Sequence, residues 1–578
     1  MFLKCTGNRP SDDSIGYYKV VESYRDEDNK VKHKILLNLG PISHEKAEKL
    51  KTLLEAYREP ELICSSLEDI LVTEHIKYLE VALLYQLLKK WGLDKLFSDF
   101  KFVVPMIINR CLEPQSKIRV TSWVDRTILP QLLDTGYAKV NPYAIYSELD
   151  QINDMETKIQ KHLFQKLDDD SQALFYDITS TYFEGESCIL CARGYSRDHR
   201  PDKKQIVIAL VINEKGYPFY WKVLPGNTQD VTTLVDLAKT LKQDFGLKKC
   251  TLIFDRGMVS QDNLDFLDEK ELDFVTALDK DQIKTLELFD FSLFKEFDPD
   301  QEIENQLTGF QKYDEDMYYQ EKQRDGIRYI LGFNQAMHQD QKEAFQKKLE
   351  KTLDFFKEKN QNLAQAKRSR NRDRLKNQLD RKLKKKNLHK IISYQLLDKK
   401  IEVNRKDGSS RTVNSFKIKT EINEEELKKV VSLFGLSCFI TKIKRDDLKA
   451  FRVIASYRSK YLIEQSFKVI KNMVKLRPVY LTMEERVKAH VTICMISYFL
   501  LMEMENTLKS SQLELSSSEA LEELSDCQVS KIKIENLDKQ IRRLTTPTEL
   551  QKKLVEVFDC KKLLKKNYYG KLLEKMDN

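Results

Sequence analysis

The pattern of apolar and polar positions changes along the chain, and its first two segments differ in period. Residues 17–40 (YYKVVESYRDEDNKVKHKILLNLG) alternate like two strands around a polar turn at Asp26–Asn29. From about Leu67 to Leu167 the apolar spacing becomes helical, most clearly in ILVTEHIKYLEVALLYQLLKKWGLDKLF. The pattern therefore predicts a β-hairpin segment over residues 1–60 and a helical region over residues 61–170.

Short apolar strands begin near Ala173 and then alternate with a helix. LFYDITSTYF is followed by IVIALVIN, FYWKVLP, an amphipathic helix over Val231–Phe245, and TLIFDRG. Strands first, and then strand and helix in alternation, are typical of an α/β sheet with a mixed strand order. We expect this sheet over residues 171–279, with a first strand that ends at Asp177 and with Phe274–Leu278 as its last strand.

A highly charged segment separates this sheet from a second helical region. It contains two predicted hairpins, which turn at Asp325–Gly326 and at Asp407–Gly408, and between them lies Lys367–Lys390, the most basic stretch of the chain. The helical pattern returns in IASYRSKYLIEQSFKVIKNMV and in the strongly apolar VKAHVTICMISYFLLMEME. We expect an insertion domain with a basic helix over 280–449, a helical continuation of the core over 450–510 and a helical tail over 511–578.

The composition excludes some classes of protein but does not identify one. A chain of 578 residues with 41% hydrophobic residues is long and apolar enough for several folded cores, which excludes a disordered protein. The N-terminus lacks the apolar core of a signal peptide, and we expect no apolar run to span a bilayer, so the expected location is the cytoplasm. The ten cysteines have no framework spacing, and the single C-x-x-C pair, Cys188 and Cys191, lacks a second pair to complete a zinc site.

Two aspartates follow the pattern of strand-end carboxylates. Asp177 and Asp255 come at the end of the first and fourth predicted strands, and neighbouring strands would bring both acids to one edge of the sheet. Adjacent carboxylates are unfavourable unless cations neutralise them, which indicates a metal site. The alternative is that each aspartate caps a turn or a helix. The metal site is favoured by the polar Thr179–Thr181 after the first acid, which can orient a carboxylate, and by Arg256–Gly257 after the second, which let the backbone approach a phosphate closely.

A third acid, Glu464, lies on the predicted helix after the insertion. Tyr457, Lys460, Glu464, Phe467, Lys468 and Lys471 recur at three- and four-residue steps, so we expect them to share one broad face. This combination of lysines and one acid would be explained if the lysines bind a phosphate backbone and the acid binds a metal ion next to it. The alternative is an ordinary amphipathic helix with an incidental pair between Glu464 and Lys468.

These blocks together resemble the insertion-sequence DDE transposases of the retroviral-integrase superfamily, in the group with the Y-R-E-K signature. The resemblance is carried by YDITSTYFEG, GYSRDHRPDKKQIVIAL, PGNTQD, FDRGMVS and YRSKYLIEQSFKVIK. The signature spacing Y-x2-R-x3-E-x6-K is met by Tyr457, Lys460, Glu464 and Lys471. Lys460 replaces the usual arginine, and lysine cannot make the bidentate phosphate contact of a guanidinium group.

The resemblance implies an RNase H-like catalytic core, interrupted by a β-containing insertion domain and flanked by a helical N-terminal region and a helical tail. It implies that Asp177, Asp255 and Glu464 bind two Mg²⁺ ions, for which Mn²⁺ can substitute, and use them to cleave and transfer DNA strands. The partners would be the inverted-repeat ends of the element, target DNA and a second copy of the chain in the DNA complex. The enzyme would be cytoplasmic and associated with the nucleoid.

Several side chains are expected to contact DNA if the resemblance holds. The helical region 61–170 and Lys367–Lys390 are candidate DNA-binding segments, although a solvated helix is the alternative for the latter. Substrate contacts are expected in the polar loop before the second strand, for which a surface loop is the alternative, and Tyr313, Tyr318 and Tyr319 are candidates for stacking on a base. The expected DNA-binding residues are Tyr457, Lys460, Lys468, Lys471, Arg197, Arg200, Lys204 and Arg256.

Two other functions remain open at this point. A nuclease of the same fold would use the same carboxylates and cleave DNA without strand transfer, because water and a 3′-hydroxyl group can attack at the same metal site. A non-catalytic remnant that still binds element ends is the alternative outside enzymes. The complete set of Asp177, Asp255 and Glu464 argues against the remnant.

Overall fold

The structure of the 578-residue chain is a computed structural model. It describes residues 1–6, 15–58, 67–137, 141, 143–167, 173–184, 187–247, 250–294, 297–298, 301, 303–404, 408–535 and 539–577. The chain divides into two compact units. One consists of Met1–Leu84, Ser122–Ala138 and Ser518–Asn578, and the other of Tyr85–Thr121 and Lys139–Ser517.

The strands of the described residues are numbered in chain order. They are β1 Phe2–Thr6, β2 Ile15–Arg25, β3 Val31–Ser43, β4 Ile70–Ile76, β5 Ala173–Tyr182, β6 Gln205–Asn213, β7 Pro218–Pro225, β8 Thr251–Phe254, β9 Asp273–Leu278, β10 Gln311–Lys312, β11 Met317–Arg324, β12 Ile327–Asn334, β13 Ile392–Asn404, β14 Ser410–Ile422, β15 Leu436–Thr441, β16 Val529–Ile534 and β17 Lys539–Leu544.

The helices are numbered in the same way. They are α1 His44–Arg58, α2 Leu79–Lys90, α3 Leu93–Leu96, α4 Val103–Leu112, α5 Lys117–Val124, α6 Leu129–Leu133, α7 Ala144–Asp154, α8 Glu156–Leu167, α9 Thr233–Gln243, α10 Gln261–Glu269, α11 Lys280–Lys284, α12 Ile303–Gln306, α13 Gln335–Ala364, α14 Arg372–Lys385, α15 Glu424–Val431, α16 Ala450–Arg458, α17 Tyr461–Asn472, α18 Glu484–Ser510, α19 Ser517–Ser525, α20 Glu549–Val557 and α21 Lys566–Asp577.

The first unit contains the expected N-terminal hairpin and a second sheet that was not expected. β2 and β3 pair antiparallel around the predicted polar turn, and β1 adds to β2 as a third strand. The prediction that helix begins near Leu67 was wrong, because ILVTEHI forms β4. This segment is rich in β-branched residues, which favour extended structure. Its partner is β16, in a tail that was expected to be helical, and β17 completes this sheet.

The second unit is organised around a sheet with the strand order β10-β11-β12-β15-β9-β8-β5-β6-β7. β5, β8 and β9 run parallel, whereas the strands on either side of them pair antiparallel. The sheet is therefore mixed, as expected, but Phe274–Leu278 is not its last strand. β15 lies within the segment 280–449 that was expected to be an insertion domain, yet it pairs with β9, so that Cys438 lies opposite Leu278, and β12 then pairs with β15.

The part of the insertion outside this sheet has an apolar core of its own. α13, α14 and the long β13–β14 hairpin enclose a cluster that includes Phe356, Leu379 and Phe416. The tip of this hairpin was predicted at Asp407–Gly408, and Asp407 lies outside the described residues. The other predicted turn, Asp325–Gly326, joins β11 to β12. Both of its residues have positive φ values, 50° and 77°, which suit the tight turn that matches strand twist.

The long apolar helix α18 supports the part of the sheet that carries the candidate site. Among the described helices it is the one long and apolar enough to cross a membrane, contrary to our expectation of none, but 89% of its most apolar window is buried in the protein. Its Tyr498 hydroxyl donates to Ser466 Oγ on α17 at 2.7 Å, and its Thr492 Oγ1 accepts from the β7 indole of Trp221 at 3.0 Å. α18 is thus a core helix that fixes α17 and β7 against one another.

Candidate active site

The register of two parallel strands brings the two aspartates together. Tyr176 of β5 lies opposite Phe254 of β8, so the next residue of each strand, Asp177 and Asp255, stands at the same level. Asp255 directly follows β8, as predicted. Asp177 does not end its strand, because β5 continues to Tyr182 and pairs with β6 along its length. The polar residues after Asp177 are therefore buried strand residues rather than the start of a loop.

Burial governs the electrostatics of Asp177. It raises the pKa of this carboxyl group to about 6, and the negative charge of Asp255 acts in the same direction. The Lys460 ammonium and the backbone N–H of Ile178, which donates to Asp177 Oδ1 at 2.8 Å, act in the opposite direction. The charged form of Asp177 is consequently favoured by a nearby cation and disfavoured without one.

Asp255 has a cation in direct contact. Lys460 Nζ lies 2.9 Å from Asp255 Oδ1, and the Tyr457 hydroxyl donates to the same oxygen at 3.4 Å. Burial alone would raise the pKa of Asp255, but the hydrogen bond and the charge of Lys460 outweigh it and lower this pKa. Burial also opposes the charge of Lys460, and the contact with Asp255 outweighs it, so the pKa of this lysine is raised.

Glu464 contacts the same lysine that neutralises Asp255. Lys460 Nζ lies 3.2 Å from Glu464 Oε1, while the glutamate side chain remains 60% exposed. Within the described ranges, no group of three or more His, Cys, Asp or Glu side chains is close enough to hold a metal ion. The structure thus places Asp177 and Asp255 side by side on neighbouring strands and connects Glu464 to Asp255 by way of the Lys460 ammonium.

The positions of Tyr457, Lys460 and Glu464 depend on a break between two helices. The predicted single helix across Tyr457 and Lys471 is two helices, α16 and α17, and Lys460 is the residue immediately before α17. The six residues expected on one face therefore do not form one stripe. Tyr457, near the end of α16, and Lys460, just before α17, both contact Asp255, whereas Lys468 is exposed and Phe467 is buried.

The donor set suits a hard divalent cation. Asp177 and Asp255 offer carboxylate oxygens, the ligands that Mg²⁺ and Mn²⁺ prefer. Lys460 already places one positive charge against Asp255 and Glu464, which shows that a cation is accommodated between them. The residues present fit a divalent ion at Asp177 and Asp255, with Glu464 available as a further ligand if Lys460 moves away.

Lys471 is held by the protein rather than presented to a ligand. Its Nζ donates to Thr179 Oγ1, to the Ser180 carbonyl oxygen and to Asp198 Oδ1, at 2.9, 2.7 and 2.8 Å. Its side chain is 11% exposed, and burial lowers its pKa despite the contact with Asp198. The expectation that Lys471 binds the DNA backbone is therefore corrected. The lysine fixes β5 beside Asp177.

Asp198 is a residue that the sequence did not single out. Its side chain is 4% exposed and accepts from Lys471, from Arg477 and, at 3.2 Å, from the backbone N–H of Tyr182 at the end of β5. Its position between basic residues in GYSRDHRPD was a signal that it pairs with a cation, but nothing in the sequence identified which one.

Asp230, at the end of the PGNTQD block, is a second residue whose role the sequence did not indicate. A side-chain carbon placed on Gly257 would lie 3.7 Å from Asp230 Oδ2 and 3.8 Å from Asp255 Oδ2, so both carboxylates border this glycine. Asp230 forms an ion pair with Arg197, whose backbone N–H donates to Ser180 Oγ at 2.9 Å. Arg197, expected to contact DNA, is thus engaged next to the site.

The remaining candidates for DNA contact are at or near the surface. Arg200 forms an ion pair with Asp202 at 2.8 Å. Lys204, Arg256 and Lys468 are exposed to solvent. Among the candidates for base stacking, Tyr318 and Tyr319 are buried in the sheet. Their proposed stacking role is therefore wrong, because β11 packs both rings inside the protein. The third candidate, Tyr313, is partly exposed, and its ring lies 4.8 Å from the guanidinium group of Arg458.

The C-x-x-C pair shows the features of structural cysteines. Cys188 and Cys191 are both buried thiols, and burial together with the neighbouring thiol raises the pKa of Cys191 to about 12. Metal binding requires thiolates, and among the described residues no further ligand joins this pair.

Comparison with known families identifies the class of protein. The model of the transposase DDE domain matches residues 191–500, or 310 of the 578 residues, and the model of the IS1634 family transposase N-terminal domain matches residues 3–62. The chain therefore belongs to the insertion-sequence transposases with a DDE domain. Asp255 and Glu464 lie within the longer match, and Asp177 lies shortly before it.

Two solved structures show weak similarity. The piggyBac transposase synaptic complex with hairpin DNA has a TM-score of 0.35 and 9% identity, covering 84% of this chain and 76% of that chain. The Mos1 transposase paired-end complex with the left transposon end has a TM-score of 0.14 and 11% identity, covering 40% of this chain and 67% of that chain. Neither similarity carries a conclusion about this chain. No curated protein matches it.

Replacing Asp198 with alanine should destabilise the protein by about 3–5 kcal/mol, because Lys471 would remain buried without its carboxylate partner. The measurement is the free energy of unfolding in urea. Asp202→Ala is the control, since it also removes an acid paired with a cation but in an exposed position, and its unfolding should be unchanged. An equal effect of the two substitutions would contradict the role assigned to Asp198. Adding Lys471→Met to Asp198→Ala should restore part of the loss.

Proposed function

We propose that this transposase binds the DNA ends of its own insertion sequence and cleaves and transfers DNA strands at Asp177, Asp255 and Glu464. The observation that carries the proposal is the alignment of Asp177 with Asp255 on neighbouring parallel strands, with the Lys460 cation between Asp255 and Glu464. The family match supports it, since a DDE domain is named for three acids of this kind. The mixed sheet around β5 supports an RNase H-like core.

The family implies divalent metal ions in general, and we propose Mg²⁺, with Mn²⁺ as a substitute. Asp177 and Asp255 would hold the ions, and Glu464 would complete the ligand set. When bound, such ions activate the attacking oxygen and stabilise the leaving oxygen of a phosphodiester. The burial that raises the pKa of Asp177 also withdraws the carboxyl group from bulk water, which strengthens its interaction with any cation placed beside it.

Lys460 neutralises Asp255 and Glu464, and Tyr457 supports it by donating to Asp255. If divalent ions held at Asp177 and Asp255 supplied this positive charge, the Lys460 ammonium would be available for a DNA phosphate, which is the role expected from the signature. A lysine suits this exchange because its flexible stem lets a compact charge move, whereas the planar fork of arginine favours fixed bidentate contacts.

Exposed cations near the carboxylates would hold the DNA backbone. Arg256 directly follows Asp255, Lys468 lies one turn beyond Glu464 on α17, and Lys204 precedes β6. These three residues remain our proposed phosphate contacts, together with Lys460 and, by a hydroxyl group, Tyr457. Phosphate contacts of this kind fix the position of DNA without reading its sequence.

Two alternatives use the same residues. A nuclease of this fold would cleave the strand but would not join the 3′-hydroxyl group to a second DNA molecule. A remnant would bind DNA without cleaving it. The presence of all three acids at or beside one site argues against the remnant, and a joined product distinguishes a transposase from a nuclease.

Asp177→Asn, Asp255→Asn and Glu464→Gln should each reduce strand cleavage at least a hundredfold while leaving DNA binding largely intact, because these acids act on the chemistry and the cations carry affinity. The substrates are duplexes taken from the DNA that flanks the gene on each side, where short inverted repeats are expected. Cleavage and joining are followed on gels with Mg²⁺, and binding is followed by gel shift.

The matched control for these carboxylates is Asp262→Asn, which removes an exposed acid from the first turn of α10. Its cleavage rate should equal that of the unaltered protein. Near-normal cleavage by any of the three site variants would remove that residue from the proposed site. Cleavage without joined product in the unaltered protein would favour the nuclease.

The basic segment Lys367–Lys390 is the proposed clamp that holds DNA in a paired complex. Its helix α14 buries Leu375, Leu379 and Leu383 against the insertion core, so its cationic face points to solvent. Transposition joins two element ends, and a chain with one active site therefore acts at least as a homodimer on DNA. A charged, exposed helix within the insertion is suited to hold the end that the other subunit cleaves.

Replacing Arg381, Lys384 and Lys385 with glutamine should reduce the paired-end complex more than the binding of a single end, and both effects should fade as salt rises. Native gels with labelled ends of two lengths separate the two complexes. Glutamine at Lys347, Lys351 and Lys357 of α13 removes the same number of exposed charges and serves as the control. If paired complexes form normally after neutralisation of α14, this helix is only a solvated face of the insertion.

A further inference from the structure

A second cationic site lies in a pocket of about 540 Å³ formed by the second unit. Its wall combines the end of α4, the start of α5 and the segment 475–481 that follows α17. Among the described residues that line it there is no carboxylate. Five cationic side chains line it, namely Arg110, Lys117, Arg119, Lys475 and Arg477.

Lys117 is the residue that makes this pocket unusual. It is 7% exposed, and in the described part of the chain its Nζ has no hydrogen-bond partner. Burial and the neighbouring charge of Arg110 lower the pKa of Lys117 well below its usual value. An ammonium group that is buried beside another cation and lacks a partner is unfavourable, and an anion in the pocket would remove this penalty.

Arg110 is fixed in a position where it can share such an anion. Its guanidinium group donates to the carbonyl oxygens of Lys475 and Gln115 at 3.1 and 3.0 Å. These contacts hold the group in place but do not neutralise its charge, because backbone carbonyls are not ionised. The positive charge is therefore positioned in advance, and binding an anion needs little rearrangement.

Arg477 connects this pocket with the strand that carries Asp177. It lines the pocket and also forms an ion pair with Asp198, which in turn holds Lys471 against β5. The segment that contributes Arg477 directly follows α17, the helix of Glu464. A DNA strand that lies across the carboxylates can thus continue over this segment. On the rim, Lys475 and Tyr480 are exposed.

We propose that this pocket binds a phosphate group of the DNA backbone, away from the carboxylate site, with Lys117 and Arg110 as its main donors. The proposal rests on the proposed function for its assignment to DNA. A free phosphorylated molecule presents the same chemistry, so the experiment has separate arms for the two sources. The phosphate gives Lys117 the acceptor that the protein does not supply.

The first arm uses inorganic phosphate and the full-length chain. Phosphate should raise the melting temperature of the unaltered protein above that in chloride at equal ionic strength. Lys117→Met keeps the aliphatic stem and removes the charge, so this variant should be at least as stable as the unaltered protein without phosphate and should gain nothing from it. Lys509→Met, which removes an exposed lysine from the last turn of α18, is the matched control and should respond to phosphate like the unaltered protein.

The second arm uses a linear duplex of arbitrary sequence, because phosphate contacts carry no sequence information. The salt dependence of binding should lose about one unit of slope in Lys117→Met, as expected for one lost phosphate contact, and should be unchanged in Lys509→Met. Stabilisation by phosphate together with an unchanged slope would assign the pocket to a free phosphorylated molecule and overturn the assignment to DNA. An absence of both effects would overturn the site itself.

Neither arm requires strand cleavage. If the unaltered protein binds DNA but produces no cleaved or joined product, the proposed reaction fails, while the two arms still decide whether Lys117 binds a phosphate. If cleavage and joining proceed and Lys117→Met matches the control in both arms, the pocket assignment alone fails.

Discussion

The pairing of β5 with β8 is the constraint on which the rest of the site depends. Parallel register places Asp177 and Asp255 at the same level of the sheet, on adjacent strands that cannot separate without losing their hydrogen bonds. Two carboxylates held this closely repel one another, and burial intensifies the repulsion. Positive charge at this point therefore stabilises the fold, and Lys460 supplies it. We take the same need for positive charge to be the physical basis of divalent-ion binding.

Other parts of the second unit keep this arrangement rigid. α18 fixes α17 through the hydrogen bond between Tyr498 and Ser466, and Lys471 links α17 to β5 through Thr179 and Asp198. The helix that carries Glu464 is thus fastened on both sides, while the glutamate itself stays exposed. This exposure is the reason why we propose Glu464 as the third ligand: the side chain could turn toward an ion at the two aspartates without a change in the sheet.

Local sequence signals predicted the elements and residues whose environment is set by their neighbours in the chain. The Asp325–Gly326 turn, the amphipathic helix before β8 and the position of Asp255 after β8 were all predicted in this way. β4 was not, because its strand depends on pairing with β16, more than 400 residues away. The return of β15 to β9 was missed for the same reason. The carboxylates were found by residue type, but Asp198 was not, since its importance comes from Lys471 and Arg477, which lie far along the chain.

We propose that Asp177 and Asp255 hold a divalent ion in the place that Lys460 now neutralises. A crystal structure of the protein grown with Mn²⁺ and bound to a duplex of its element end, with the ion located by its anomalous scattering, tests this most directly. We expect manganese bonded to Asp177 and Asp255, Glu464 turned toward it, and the Lys460 ammonium withdrawn from Asp255. Manganese found only at other residues, with Lys460 still bonded to Asp255, would show that the proposal is wrong.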